Sequence, residues 1–343
     1  MSNDKIIDLR SDTVTQPTQA MRAAMMAAPL GDDVFGDDPS INALQSALAE
    51  RLGFEAGLFM ASGTQSNLCG LMTHCQRGDE YIVGQFAHTY RWEGGGAAVL
   101  GSIQPQPLNH QPDGSLALAD IEANIKPNDA HFARTRLLTL ENTIGGKVLP
   151  QAYLADASAL ARKHGLGRHL DGARLFNAAV AAGGDPYQAA RDITRHFDSV
   201  SVCFSKGLGA PVGSVLLGTK DFILQARRWR KMTGGGMRQA GFLAAAAHHA
   251  LDHHVVRLAE DHALARRLAE GLQGLPGLTV ETPQTNIVFA DLTGPKAPGL
   301  MDHLKSRGVL ATGLYRLRFV THLDVDAAGV DRAVRAVRDY LEA

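Results

Sequence analysis

Cysteine is scarce in this chain: Cys69, Cys75 and Cys203 are the only three among 343 residues. They form no C-x-x-C pair, and an odd count builds no disulfide framework, so they read as small buried apolar residues in a reduced compartment. Charge of one sign is also lacking. Lys+Arg number 34 and Asp+Glu 35, a formal net charge of −1. That balance offers no field for gripping nucleic acid or an anionic membrane, and leaves only a local cationic pocket for a small phosphate. No apolar run approaches the ~18 residues that span a bilayer. The opening stretch, residues 1–8, has no hydrophobic signal-peptide core. The expectation is a soluble, cytoplasmic protein acting on small molecules, without nucleic-acid or membrane partners.

What is present is ordinary globular material. Apolar residues make up 45% and charged residues 20%, enough for a sizeable core. At ~100–200 residues per domain, the length suggests two domains. Glycine is frequent, 36 residues, and often follows short apolar runs, as at strand ends in α/β proteins. Buried strands are expected at 57–61, 81–84, 98–103, 136–140, 167–171, 199–204 and 213–217. Helical spacing lies between most of them, for example at 41–52, 154–164 and 186–195. This alternation predicts an α/β fold with a mainly parallel seven-stranded sheet covered on both faces. The last third differs: a helical stretch at 242–270, two alternating runs at 278–292 and 309–320, each trailed by a helix. Val330, Val334, Val337 and Leu341 share one face of the final helix. The expected organisation is an arm over 1–18, lying on other structure, a large domain over 19–248 and a smaller α+β domain over 249–343.

Three constellations carry chemistry. Ala61-Ser62-Gly63-Thr64-Gln65-Ser66-Asn67 joins an apolar strand to an apolar helix. Free N–H groups at such a helix start hold phosphate, Gly63 permits close approach, and Ser62 and Thr64 add hydroxyls. An N-capped turn without a ligand is the plainer alternative. Leu170-Asp171-Gly172-Ala173-Arg174 follows a second strand. A carboxylate there sits where open α/β sheets place ligands. Asp171 suits a protonated ring nitrogen and Arg174 a carboxylate, unless the two simply pair with each other. Ser199 to Ala210 delivers Lys206 from a hydrophobic strand into a glycine-rich turn. A lysine desolvated in a crowded pocket is a Schiff-base nucleophile; one at a solvated strand end is not. Asp171 and Lys206 are 206 − 171 = 35 residues apart, about one α/β repeat, so both emerge at the same edge of neighbouring strands. A lysine, a ring-facing acid and a phosphate cup form the set that pyridoxal phosphate requires.

These stretches resemble the low-specificity L-threonine aldolases, a branch of the fold type I pyridoxal phosphate enzymes. The resemblance runs through Ile7-Asp8-Leu9-Arg10-Ser11-Asp12-Thr13-Val14-Thr15, Gly31-Asp32-Asp33-Val34-Phe35-Gly36-Asp37-Asp38-Pro39 and the Ser62 turn. It continues in His131-Phe132-Ala133-Arg134-Thr135, Leu140-Glu141-Asn142-Thr143, the His169–Arg174 and Ser205–Gly213 stretches, the segment from Arg230 to Gln239, and Arg318-Phe319-Val320-Thr321-His322-Leu323. It implies an aspartate-aminotransferase-like large domain, pyridoxal 5′-phosphate as cofactor, and reversible cleavage of β-hydroxy-α-amino acids to glycine and an aldehyde. By the resemblance Lys206 carries the cofactor as an imine, Asp171 pairs with its ring nitrogen and His88 stacks on the ring. Gly63 and Thr64 hold the phosphate, with Lys231 and Arg238 near it, reaching across a subunit boundary. Ser11, Arg174 and Arg318 form the substrate carboxylate pocket, and His131 meets the substrate hydroxyl. The general base stays open between His88, His131, Glu93 and water. A homotetramer built from dimers is implied.

The chain departs from the family pattern at two places. Phe35 stands where the family usually has Tyr, and Thr143-Ile144-Gly145-Gly146-Lys147 replaces Thr-His-Asn-Gly-Lys. The expectation for Phe35 is a ring packed unchanged. His249 and His253 are spaced i,i+4, as in zinc sites, but no third ligand follows a pattern, so no metal is expected. The Arg227-Arg228-Trp229-Arg230-Lys231 run is not read as a nucleic-acid patch in a neutral chain. The rival readings are another fold type I enzyme (a β-eliminating lyase, an aminotransferase or one like serine hydroxymethyltransferase) and a nucleotide- or phosphosugar-binding α/β protein.

Overall fold

A computed structural model describes residues 6–313 and 316–343. Its strands in chain order are β1 (Ile7–Asp8), β2 (Ala56–Met60), β3 (Asp79–Gly84), β4 (Gln104–Leu108), β5 (Arg134–Glu141), β6 (Gly167–Gly172), β7 (Ser199–Cys203), β8 (Ser214–Gly218), β9 (Leu278–Val280), β10 (Ile287–Leu292), β11 (Val309–Leu310) and β12 (Leu317–Val320).

Seven strands form one sheet in the order β2-β8-β7-β6-β5-β3-β4. The pairs from β7 to β4 are parallel, and β8 runs against both of its neighbours. Strands β3, β7 and β8 are buried at every position, although Asp79 and Glu80 open β3 and serine alternates with valine in β7. Helices Pro39–Leu52, Gln151–Lys163 and Pro186–Thr194 supply the covering layers expected for them. Two of them begin alike: Asp38 and Asp185 accept backbone N–H bonds as N-caps, each followed by proline in the first turn.

The strand expected at 98–103 is not there. That segment holds the short helix Gly96–Val99, and the strand is β4, one step later. Its sequence, Gln-Pro-Gln-Pro-Leu, argues against a strand, because proline lacks an N–H. β4 is a sheet edge, paired with β3, so Pro105 and Pro107, two residues apart, spend their missing donors on the open side. The helical stretch at 242–270 is likewise two helices, Gly241–His253 and Leu258–Leu272. At the break, His254 turns inward and donates from Nδ1 to the Leu208 carbonyl at 2.7 Å.

The C-terminal part carries an antiparallel sheet, β12-β10-β9, and a separate parallel pair, β1 with β11. The stretches at 278–292 and 309–320 thus each split into two strands. Ile7 and Leu9 donate to the carbonyls of Gly308 and Leu310, and Val320 donates to Leu9. The N-terminal arm is therefore stitched to the C-terminal part of its own chain, and Ile7 and Leu9 are buried in its core with Leu268, Val288, Phe319 and Val337. The larger core runs from Met21 to Leu258, and the second one takes up at Ala265. Helix Leu258–Leu272 spans both. The final helix, Ala327–Glu342, buries Val330, Val334, Val337 and Leu341 as its spacing predicts.

Candidate active site

Strand register places the acids. Glu141, the last residue of β5, pairs with Asp171 on β6, which pairs with Ser201 on β7. Glu141 and Asp171 therefore stand side by side at the carboxyl edge of the sheet, and Lys206 follows five residues beyond Ser201. Asp171 accepts from the Asn67 side-chain N–H at 2.9 Å and from the Ala173 backbone at 3.0 Å. The second Asn67 N–H goes to Glu93 Oε1 at 2.8 Å, and that oxygen also meets His88 Nδ1 at 2.7 Å. Burial alone would lower His88, but the Glu93 bond and the Asp171 charge outweigh it and lift the imidazole above its ordinary value. Burial raises Glu93; the His88 bond opposes this and the Asp171 charge adds to it.

Glu141 accepts from the His88 backbone N–H at 2.7 Å. Complete burial, with Asp171 beside it, pushes its carboxyl from the ordinary 4.5 up to about 7. The unfolded chain loses this proton near pH ~4.3, the folded one near neutrality. The stability it contributes is full below the unfolded value and is lost as pH rises through the folded one. Glu141→Gln carries no such penalty. Its advantage over the parent should grow between about pH 4.3 and about 7, reach on the order of 1–3 kcal/mol, and then level off. Urea unfolding at pH 5 and pH 8 reads this directly; parallel stability curves would refute the protonated Glu141.

The turn that carries Lys206 is pinned from two sides. Gly209 donates to the Lys206 carbonyl at 2.8 Å and Ala210 to Phe204 at 3.0 Å. A Cβ on Gly207 would crowd Leu258 Cδ2 at 3.0 Å, and Gly209 has φ +79°, the left-handed conformation that calls for glycine. The Lys206 charge acts on Asp12, Glu141 and His88, and Asp171 acts on the last two, so these five groups lie near one another at the sheet edge. Beside it, helix Gly63–His74 starts with Ser62 as N-cap. Its first-turn N–H groups have no partners within the helix. Ser214 Oγ is buried without a hydrogen-bond partner among the described residues and lies 3.6 Å from where a Gly63 Cβ would sit.

Arg174 does not pair with Asp171. Its Nε and Nη2 donate to buried Asp12 at 2.8 and 2.6 Å, and Asn286 adds a third donor at 3.2 Å. Burial opposes ionisation of Asp12, but Arg174 and Lys206 hold it well below the usual carboxylate range. Arg174 is thus mostly committed to the arm, with Nη1 left over. Arg318 donates from Nη2 to the Arg10 carbonyl at 3.0 Å, while its buried Nε has no partner among the described residues. Ser11 caps the short turn Asp12–Val14 and accepts from Thr13. The arm thus delivers Ser11 and Asp12 to the space that Arg174 and Arg318 enclose.

Other expected site residues lie apart. His131 sits in the turn before β5, at the opposite end of that strand from Glu141. Its side chain is 88% exposed and bonded to Asp129. One chain alone does not bring it to Asp171. Lys231 is exposed, and Arg238 reaches Asp32 at 3.3 Å. Their segment is tied to the helix start: Gln65 donates to the Thr233 carbonyl and hydroxyl at 3.3 and 3.1 Å. In the cationic run, Arg230 is buried on Asp33 and Arg227 donates to the Asp33 carbonyl, so these cations are internal. Asn67, Glu141 and Asp12 were passed over as individual residues because their roles depend on long-range partners. The one available signal was an acid or amide at each strand end or helix start.

The two departures resolve differently. Phe35 does not pack within its chain: its ring is 77% exposed. Phe35→Tyr should therefore leave unfolding within about 0.5 kcal/mol of the parent. A large stability change would contradict the exposed ring. Ile144 and Lys147 exchange backbone hydrogen bonds at 3.1 and 2.9 Å around Gly145 (φ +55°) and Gly146 (φ +82°). That is the two-residue turn that Asn-Gly also favours, so the backbone tolerates the exchange. Ile144 is buried in the large core against Gly114.

Comparison with known proteins agrees with this geometry. The family described as Beta-eliminating lyase matches residues 8–294. A low specificity L-threonine aldolase of Escherichia coli K12 is 55% identical over 320 residues, covering 93% of this chain and 95% of its own. A probable low-specificity L-threonine aldolase 2 of Arabidopsis thaliana is 43% identical, covering 95% of each. Among solved structures, a Leishmania major threonine aldolase superposes with a TM-score of 0.82 at 23% identity, covering 98% of this chain and 99% of that one. The fold is that of the fold type I pyridoxal phosphate enzymes, and the chain belongs to the low-specificity L-threonine aldolase family of lyases.

Proposed function

We propose that this chain binds pyridoxal 5′-phosphate and cleaves L-threonine, L-allo-threonine and related β-hydroxy-α-amino acids to glycine and an aldehyde. The observation that carries the reading is the convergence of Lys206, Asp171 and His88 on one space, with Arg318 and Arg174 at its side. The cofactor fits this space: Gly63 and Thr64 offer first-turn N–H groups, Ser214 Oγ is unpartnered, and Arg318 Nε lacks an acceptor. When bound, pyridoxal phosphate supplies an aldehyde for imine formation and a cationic ring that accepts the electrons of a breaking bond.

The protein's share of the work is positioning and proton transfer. Lys206 would supply the amine that holds the cofactor. Asp171 would pair with the ring nitrogen, and His88 would hold the ring. Gly63, Thr64, Lys231 and Arg238 serve the phosphate. Arg318 Nε, Arg174 Nη1 and Ser11 grip the substrate carboxylate, which fixes rotation about Cα and sets the Cα–Cβ bond in the reacting direction. Glu93 accepts from His88 Nδ1, so the free lone pair lies on Nε2. His88 Nε2 is thus the acceptor that this chain offers for the β-hydroxyl proton.

The exposed positions of His131, Phe132, Phe35 and Arg238 support an assembly of identical subunits, a homotetramer of dimers, in which His131 serves a neighbour's site. Domains over 19–248 and 249–343 would flank the cleft, with the 1–18 arm completing it. Three buried free cysteines support a cytoplasmic location. Among the described residues, no helix is long and apolar enough to cross a membrane.

Incubation of the cofactor-saturated protein with L-threonine, and separately with L-allo-threonine, tests the reading. Equal amounts of glycine and acetaldehyde should appear without a keto acid or folate. Release of ammonia and a keto acid instead would favour the β-eliminating alternative.

A further inference from the structure

The helix Gly63–His74 and strands β6 and β7 enclose two histidines, one buried and one half-buried, that the mechanism above does not use. His169 is fully buried on β6, two residues before Asp171 on the same strand face, and His74 ends the helix. They lie on one connected path. His169 Nε2 meets Asn67 Oδ1 at 3.2 Å, and His169 Nδ1 meets Ser199 Oγ at 2.8 Å. His74 Nε2 meets the same Ser199 Oγ at 2.7 Å.

Proton counting gives this path one direction. The Asn67 amide has two N–H bonds, and both are spent on carboxylates, Asp171 and Glu93. Its Oδ1 can only accept, so His169 must carry its proton on Nε2. Burial lowers His169 to about 3 and His74, despite the Asp198 charge, to about 4, so both rings are neutral at working pH. His169 Nδ1 is then an acceptor, Ser199 must donate to it, and Ser199 in turn accepts from His74 Nε2. Both rings pack onto glycines: a Cβ on Gly70 would lie 2.9 Å from His169 Cε1, and one on Gly167 2.9 Å from His74 Nδ1, so a larger residue at either position would displace them.

We infer that His169 and Asn67 are positioning residues for Asp171, with Ser199 and His74 behind them: the path locks the Asn67 amide with both N–H bonds aimed at the site acids. A flipped amide would set Oδ1 against two carboxylates and leave the His169 N–H facing another donor. The locked amide places neutral donors between Asp171 and Glu93, in a space that also holds Glu141, His88 and Lys206; around His74 stand Asp198 and Arg168. The inference rests on the reading of Asp171 as the acid that serves the cofactor ring.

The test compares His169→Leu, which removes the donor, with His169→Gln, whose amide N–H replaces Nε2. In the holoenzyme, His169→Leu should weaken pyridoxal phosphate binding on the order of tenfold, the scale of one buried charge-assisted hydrogen bond. It should also shift the pH midpoint of the cofactor's visible band and lower kcat more than KM. His169→Gln should restore most of each. A wild-type midpoint and affinity in His169→Leu would overturn the inference, as would equal damage in both variants, which would mean lost packing. If His169→Leu does not fold, Ser199→Ala breaks the next link and should move band and affinity the same way by less; no movement overturns it. Asp171→Asn run alongside separates the two ideas. If that variant leaves band and affinity unchanged, the reading of Asp171 fails; if it moves them while the His169 and Ser199 variants do not, only the positioning path fails.

Discussion

Lys206→Ala should leave a colourless protein whose turnover of L-threonine falls on the order of 10⁴-fold or more, the scale of removing a covalent nucleophile. The expectation follows from the placement of the amine. The turn holding it is fixed by the Gly209 and Ala210 hydrogen bonds, and its charge is felt by Asp12, Glu141 and His88. Lys231 is exposed and held beside Gly236, so it does not take over the post. The loss should be one of chemistry and not of folding, since the alanine retains every backbone bond of the turn. Absorbance near the imine band and glycine release measure the two parts. Turnover within tenfold of the parent would rule out imine chemistry at this residue.

Asp171→Ala should retain part of the cofactor yet lose most turnover, on the order of 10³-fold, comparable to removing a preorganised charge from a buried site. The carboxylate accepts two hydrogen bonds, from Asn67 and Ala173, and faces the same space as Lys206. Without it, electrons released at Cα have no stabilised destination in the ring. The proposed phosphate cup at Gly63 and Thr64 lies on another element and should still bind. The prediction is therefore a split, with kcat falling far more than cofactor affinity. Unchanged turnover would refute the electron-sink role.

The legible parts of the molecule were those with local causes. Short runs rich in apolar residues marked most of the buried strands, because a strand covered on both faces needs no strict alternation. The 35-residue step between Asp171 and Lys206 placed both at one sheet edge, because neighbouring parallel strands share their direction. Local pattern failed where a partner far along the chain decides the outcome. The prolines of β4 look like strand breakers until the strand proves to be an edge. Arg174 looked free for a ligand or for Asp171, yet Asp12 from the arm holds it. The arm itself looked like a feature for another surface, and its own chain binds it through β11. Phe35, expected to pack, is exposed because nothing in its own chain covers the 31–38 segment's tip. His131 was assigned through resemblance, and its position before β5 shows that chain connectivity alone does not bring it to the pocket.

The arm's attachment has a consequence for synthesis. Ile7 and Leu9 find their partners at Gly308 and Leu310, and Arg10 finds Arg318. A growing polypeptide on the ribosome therefore carries Ser11 and Asp12 unplaced until about nine-tenths of its length has emerged. The large sheet, with its amine and acids, has every strand it needs by Gly218. Nascent chains should thus pass through a stage that displays the groups proposed to face the cofactor before the arm's share of the proposed carboxylate grip is in place.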